Sequence, residues 1–246
     1  MRAFQMQEFD IQYRFGLEDG QEEIFHYRLD PVKLEIDAGF GAEPPEWTQL
    51  GFHQCDNCPL ALAEVERCPA AMNMAELVSR FTELLSHDRA TVIVSTCERL
   101  VQMETTVQKG ICSLMGLLMA TSRCPMTSFF KPMARFHLPF ASTEETIWRA
   151  TSTYLLAQYF KQQEGNTPDL HFEGLSRIYS DIQTVNLSFA KRLRAACHSD
   201  SMVNAIILLD LFAQSMPSAI EASLEEIRHL FVPYLVHHRT ACGNQP

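Results

Sequence analysis

Three of the eight cysteines in this chain are followed directly by proline: Cys58-Pro59, Cys68-Pro69 and Cys124-Pro125. The first also belongs to a C-x2-C pair, Cys55 and Cys58. Two intervening residues let both sulfurs turn toward one ion, as in a metal knuckle. Proline is favoured at the first position of a helix, where its missing N–H costs nothing. A Cys-Pro step ahead of a helical pattern therefore places the thiol at the N-cap. There, free N–H groups and positive partial charge stabilise a thiolate. If all three steps open helices, three helix ends can aim thiolates at a common centre. The expectation is a four-cysteine site built from Cys55, Cys58, Cys68 and Cys124.

The remaining cysteines separate from this set on geometry. Cys112 lies near the start of a helical pattern that ends beside Cys124. At ~1.5 Å of rise per residue the two are roughly 18 Å apart, too far to ligate one ion. Cys97 falls between strands, and Cys197 and Cys242 fall in or after the helical part; all three read as core or surface thiols. His53 and His137 are possible substitute ligands, beside their ordinary reading as hydrogen-bonded histidines. Met72, Met74, Met119 and Met126 would suit copper(I), but methionines at helical spacing are ordinarily core. A redox-active C-x2-C would need a thioredoxin-like βαβ setting, which is absent.

Ligand count fits structural zinc and an iron–sulfur cluster equally. Zinc sites more often use two short C-x2-C knuckles, and only one pair here is short. Cys followed by Pro recurs in ferredoxin cluster segments. The balance favours a [4Fe–4S] cluster over Zn.

Composition narrows the setting. A formal net charge of −10 argues against nucleic acid and anionic membrane as partners, since both select for Lys/Arg excess. No window of ~18 uninterrupted apolar residues marks a transmembrane helix, and residues 1–8 lack the apolar stretch of a signal peptide. The chain is therefore expected in the cytoplasm, where clustered cysteines bind metal or do chemistry rather than form disulfides.

Alternation of apolar and polar residues predicts three strands in the first forty residues, a β-meander. They are Ile11–Leu17, Phe25–Leu29 and Val32–Ile36, with turns at Asp19-Gly20 and Asp30-Pro31. The cysteine segment follows. A helix with Met74, Leu77, Val78, Phe81, Leu84 and Leu85 on one face comes next. Thr91–Ser95 and Leu100–Thr106 read as strands, and Gly110–Ser122 as a helix. Ser142 and Glu145 have capping-box spacing and open a long helix to about Lys161. After the break Gly165–Pro168, Leu175, Ile178, Ile182, Val185 and Phe189 keep helical spacing, as do Ile220, Leu224, Ile227 and Phe231. Met202–Phe212, apolar nearly all round, reads as a central helix. The fold class is α+β: residues 1–141 form an α+β part carrying the four-cysteine site, and residues 142–246 a C-terminal helical bundle.

The run Cys55-Asp56-Asn57-Cys58-Pro59-Leu60 resembles the C-x2-C-P-L segment of iron–sulfur uracil-DNA glycosylases. The likeness covers six residues and carries no activity with it. More broadly, Trp47–Leu60, Cys68–Ala71, Ala120–Pro125 and Arg135–Phe140 resemble segments of an uncharacterised bacterial family of cytoplasmic proteins, a domain of unknown function. That resemblance implies one shared architecture over nearly the full length and no known activity.

Common nucleotide-binding and hydrolase motifs are absent, and no catalytic residue is assigned. The expected function is that of a metal- or cluster-binding protein in a regulatory, redox-sensing or interaction role, not an enzyme. The helical part would serve as the surface for a protein partner or a homo-oligomer. Two alternatives stand beside it: a structural zinc protein with an interaction module, and an electron-transfer component of a redox enzyme.

Overall fold

A computed structural model describes residues 9–36, 43–81, 87–196 and 200–241, without the side chains at 200, 217–223, 226 and 237–241. Four strands form one antiparallel sheet: β1 (Phe9–Leu17), β2 (Glu22–Leu29), β3 (Arg89–Thr96) and β4 (Leu100–Thr106), in the order β2-β1-β3-β4. Alternation puts Ile11, Tyr13 and Phe15 of β1 on the buried face, with Phe25 and Tyr27 of β2 and Val92 and Val94 of β3. The register sets Tyr13 opposite both Phe25 and Val94. The Asp19-Gly20 turn forms as its chemistry predicts, with Gly20 at φ 83° and its N–H donating to Leu17 O.

The third alternation does not become a strand. Asp30 Oδ1 accepts from the N–H groups of both Val32 and Lys33, which closes an Asx turn in place of extended chain. Leu34 takes a positive φ of 55°, Val32 is 73% exposed, and only an isolated bridge joins Leu29 to Ile36. Alternating apolar residues were outweighed here by one aspartate side chain that satisfied two backbone donors locally.

Among the described residues there are seven α-helices: α1 (Pro69–Arg80), α2 (Val107–Ala120), α3 (Lys131–Arg135), α4 (Thr143–Gln163), α5 (Glu173–Ala196), α6 (Asp200–Ile227) and α7 (Val232–Ala241). The class is α+β, a sheet followed by helices. Met74, Leu77 and Val78 of α1 are buried as their spacing predicts; Leu84 and Leu85 lie outside the described residues. Phe81, at the end of α1, packs its ring against Phe15 and Phe25. The capping box of α4 is complete: Glu145 N–H donates to Ser142 Oγ, and Ser142 N–H donates to Glu145 Oε2. Met202, Ala205, Ile206, Ala213 and Met216 of α6 are buried, and α6 packs on α2, α4 and α5, the central place its all-round apolarity predicts. Ile220, Leu224 and Ile227 continue this same helix, and Phe231 ends a 3₁₀ turn, Arg228–Phe231.

One core gathers the sheet face, α1 and α2, and takes in Val185, Phe189 and Leu193 of α5 and Ile206 of α6. A smaller one, with Ile147, Tyr154, Tyr179 and Met216, joins α4, α5 and α6. The approach of α2 to the sheet is set by Gly110. A Cβ there would stand 2.5 Å from the Phe15 ring and 3.0 Å from Val92 Cγ2. Gly110→Ala is therefore expected to destabilise the fold by about 1–3 kcal/mol through overpacking, although alanine has the better helix propensity. A denaturant midpoint at or above wild type would contradict the close approach.

Candidate metal centre

The loop before α1 folds back on itself. Leu50 N–H donates to Glu66 O, Cys68 N–H to Thr48 O, and Gln49 and Arg67 share a bridge. This lays residues 47–50 beside the start of α1. Within the loop, Cys58 N–H donates to Cys55 O at 3.0 Å, closing the C-x2-C turn, and Asn57 Nδ2 donates to Asp181 O of α5.

Two of the three Cys-Pro steps do what their chemistry predicts. Cys68 caps α1 with φ −67° and ψ 117°. Cys124 caps the 3₁₀ helix Pro125–Phe130 with nearly the same angles, −71° and 121°. Neither sulfur accepts a capping hydrogen bond, but the N–H groups of Ala70 and Ala71 act to lower the Cys68 pKa, and those of Met126 and Thr127 the Cys124 pKa. The Cys58-Pro59 step opens no helix; the residues after it are irregular. The apolar run Leu60–Val65 closes a turn instead, with the N–H groups of Glu64 and Val65 both donating to Ala61 O.

Charge effects place the four thiols in one neighbourhood. Cys55 feels the charge of Cys58, Cys68 and Cys124; Cys68 feels Cys58; Cys124 feels Cys68 and Cys58. Burial is the largest influence. It pushes Cys55 up to about 11, with a Ser188 hydrogen bond acting in the opposite sense. Burial likewise raises Cys68 and Cys124 above the usual thiol range. Without a ligand, Cys55, Cys68 and Cys124 are therefore neutral at pH 7. Among the described residues, no three His, Cys, Asp or Glu side chains stand as a group that could hold a metal ion. The thiols are close enough to repel one another as anions, yet are not drawn onto one point.

Arg192 of α5 lies against them. Its side chain is 1% exposed, the largest among the fully buried ones. Its guanidinium donates to the main-chain oxygens of Trp47, Gln49 and Leu50, while Nε has no partner. The rings of Phe52 and Phe189 flank it at 5.8 and 5.7 Å. Burial lowers its pKa, and the charges of Cys68, Cys55 and Cys58 raise it. Among the described residues no carboxylate pairs with it.

The other candidates lie elsewhere. Cys112 sits inside α2, raised to about 12 by burial alone, and Cys97 is exposed. Cys197 and Cys242 fall outside the described residues. The His53 ring stands edge-on to Phe52. His137 Nε2 lies 2.5 Å from the Tyr13 hydroxyl, which also bonds Ser113 Oγ at 2.8 Å. Arg135 pairs with Glu98, Arg149 donates to Met133 O and Phe136 O, and Tyr154 donates to Asp169. The polar residues near 135–154 thus have structural partners.

Burial pushes His137 down to about 3, helped by the Arg149 charge. The unfolded chain takes up this proton near the ordinary histidine value of 6.5, the folded one only far lower. Stability is therefore present above pH 6.5 and lost as pH falls toward 3, by at most about 1.4 kcal/mol per unit. His137→Gln should show a shallower loss between pH 7 and 4 in denaturant titrations; an unchanged slope would exclude a buried neutral imidazole.

The family model described as Domain of unknown function (DUF6901) matches residues 11–232. The chain belongs to that family. The DUF6901 match takes in all four cysteines together with Ser188 and Arg192. No curated protein and no solved structure matches the chain. Sequence reasoning named the four thiols of this DUF6901 chain but not Ser188 or Arg192. A signal for Arg192 was present: it continues the apolar series Ile182, Val185, Phe189 at helical spacing, where a charge is out of place.

Proposed function

We propose that the chain is a metal- or cluster-binding protein in which Cys55, Cys58, Cys68 and Cys124 hold a [4Fe–4S] cluster, in a regulatory or redox-sensing role. The observation that carries this reading is Arg192. A buried guanidinium without a carboxylate is costly beside neutral thiols. Four thiolates on a metal centre carry net negative charge, and that charge would neutralise it. Ser188 hydrogen-bonds Cys55, and the N–H groups of the two N-capping turns act in the same sense, which favours thiolate and tunes a cluster's potential. Ligand geometry differs between the two metals. A tetrahedral zinc at ~2.3 Å needs all four sulfurs within about 4 Å of one another. A cluster spreads its thiolates over separate irons and accepts wider spacing.

Among the described residues no helix is long and apolar enough to cross a membrane. A reducing cytoplasm, as proposed here, keeps the thiols available for assembly.

Anaerobic purification followed by metal analysis and an absorption spectrum tests the assignment. A brown protein with a broad visible band supports the cluster. A colourless protein with about one zinc per chain sinks it and leaves the structural-zinc reading. Reversible bleaching with dithionite separates sensing or electron transfer from scaffolding.

A further inference from the structure

Helix α4 has two apolar sides. Ile147, Ala150 and Tyr154 face the smaller core. On the opposite side Trp148, Leu155 and Tyr159 lie in one line with the half-buried Ser152, flanked by Leu156 and Phe160. The five large side chains are 40–56% exposed. Trp148 stacks on Phe231 at 5.5 Å between ring centroids, and both rings stay partly open.

The spacing of that line is specific. Positions 148, 152, 155 and 159 step by four, three and four, the interval of a coiled-coil seam. None of the four is charged. Large apolar side chains at that interval are a seat for another helix.

We propose that the other helix is α4 of a second copy of this chain, packed antiparallel across a two-fold axis. In that direction the seam is complementary to itself. Leu155 of each copy stands over Ser152 of the other, large on small, and Trp148 of each meets Tyr159 of the other. Each contact then occurs twice, as a two-fold interface requires. A parallel pair would set Ser152 on Ser152 and Trp148 on Trp148, a gap beside a crowded layer. Charge agrees. Helix α4 carries Glu144 and Glu145 in its first turn and Lys161 in its last. Antiparallel packing brings these ends, and opposite ends of the helix dipole, together. The five side chains expose roughly 500 Å² at about half exposure each. A homodimer interface of about 800 Å² per partner that is about two-thirds apolar needs roughly that much. The inference is independent of what the cysteines bind.

Sedimentation equilibrium of the full chain is expected to give about twice the 28.0 kDa of one copy. Leu155→Glu should weaken the dimer at least about 30-fold. Its side chain is exposed, so far-UV circular dichroism should not change. Mixing Leu155→Glu with Ser152→Lys should recover at least about tenfold, because the new glutamate then faces the new lysine while Leu155 of one copy still meets Ser152 of the other. A readout that needs no variant is fluorescence: the chain has two tryptophans, Trp47 is buried, and dilution of the wild-type protein should shift Trp148 emission to the red. A wild-type monomer at tens of micromolar, or a dimer indifferent to Leu155→Glu, would overturn the proposal. A dimer that Leu155→Glu breaks and Ser152→Lys does not rescue would overturn the antiparallel register. A monomer whose Trp148 emission shifts to the blue on phosphatidylcholine vesicles would give the face to lipid and overturn the dimer.

Discussion

Cys124→Ser is expected to leave little soluble protein, and what remains should lack the metal. The reason is the distance the centre spans in sequence. Cys124 enters from the turn after α2, while Cys55, Cys58 and Cys68 come from the loop and helix start before α1. A ligated centre is thus a crosslink between two halves of the same core. Metal binding to structural thiolate sites supplies about 10–16 kcal/mol of folding free energy, as much as the ~5–15 kcal/mol that separates a typical domain from its unfolded state. Serine fills the space of the thiol but is no thiolate donor, so that contribution collapses. Cys58→Ser should behave alike, whereas Cys97→Ser, at an exposed position outside the set, should change neither yield nor loading. Metal content per soluble chain is the measurement. A Cys124→Ser protein that is soluble and fully loaded would remove Cys124 from the ligand set.

The second large effect is expected at Arg192, and its sign depends on the metal. With the centre loaded, Arg192→Met removes the counter-charge of a buried anionic group, a loss of about 3–5 kcal/mol. With the metal stripped, the same arginine is a buried cation beside neutral thiols, and methionine in its place is neutral or stabilising apart from the lost bonds to the carbonyls of Trp47, Gln49 and Leu50. Those bonds are lost in both forms, so the comparison isolates the electrostatic part. Anaerobic denaturant titrations of loaded and stripped protein should differ in the cost of the substitution by at least about 2 kcal/mol. Equal costs would mean that Arg192 only ties α5 to the loop. Arg192→Lys keeps the charge but not the fork, and should fall between.

What could be read in advance follows the range of the forces involved. The Ser142–Glu145 box, the Asp19-Gly20 turn and the α1 stripe depend on residues within a few positions of one another, and each formed as expected. The strand expected at Val32–Ile36 failed for an equally local reason, the Asp30 side chain. At the centre, Cys68 and Cys124 were legible because a Cys-Pro step ahead of helical residues fixes its own backbone. Cys58-Pro59 looked the same, but the chain behind it closes a turn on Ala61 O rather than a helix. Ser188 and Arg192 were hidden because their role exists only once α5 has crossed the loop, a contact between segments more than a hundred positions apart. Helix α4 is apolar on two sides, with Trp148, Leu156, Tyr159 and Phe160 exposed opposite its buried residues, which blurs the one-sided pattern that reveals a surface helix.

The placement of Ser188 and Arg192 on α5 also orders events in time. A ribosome making about 5–20 residues per second needs roughly 3–14 seconds to travel from Cys124 to Arg192. During that interval all four thiols exist and the helix that encloses them does not. If the proposed centre is loaded during synthesis, the nascent chain offers an open mouth for it, and α5 closes that mouth from the C-terminal side, carrying the positive charge in last.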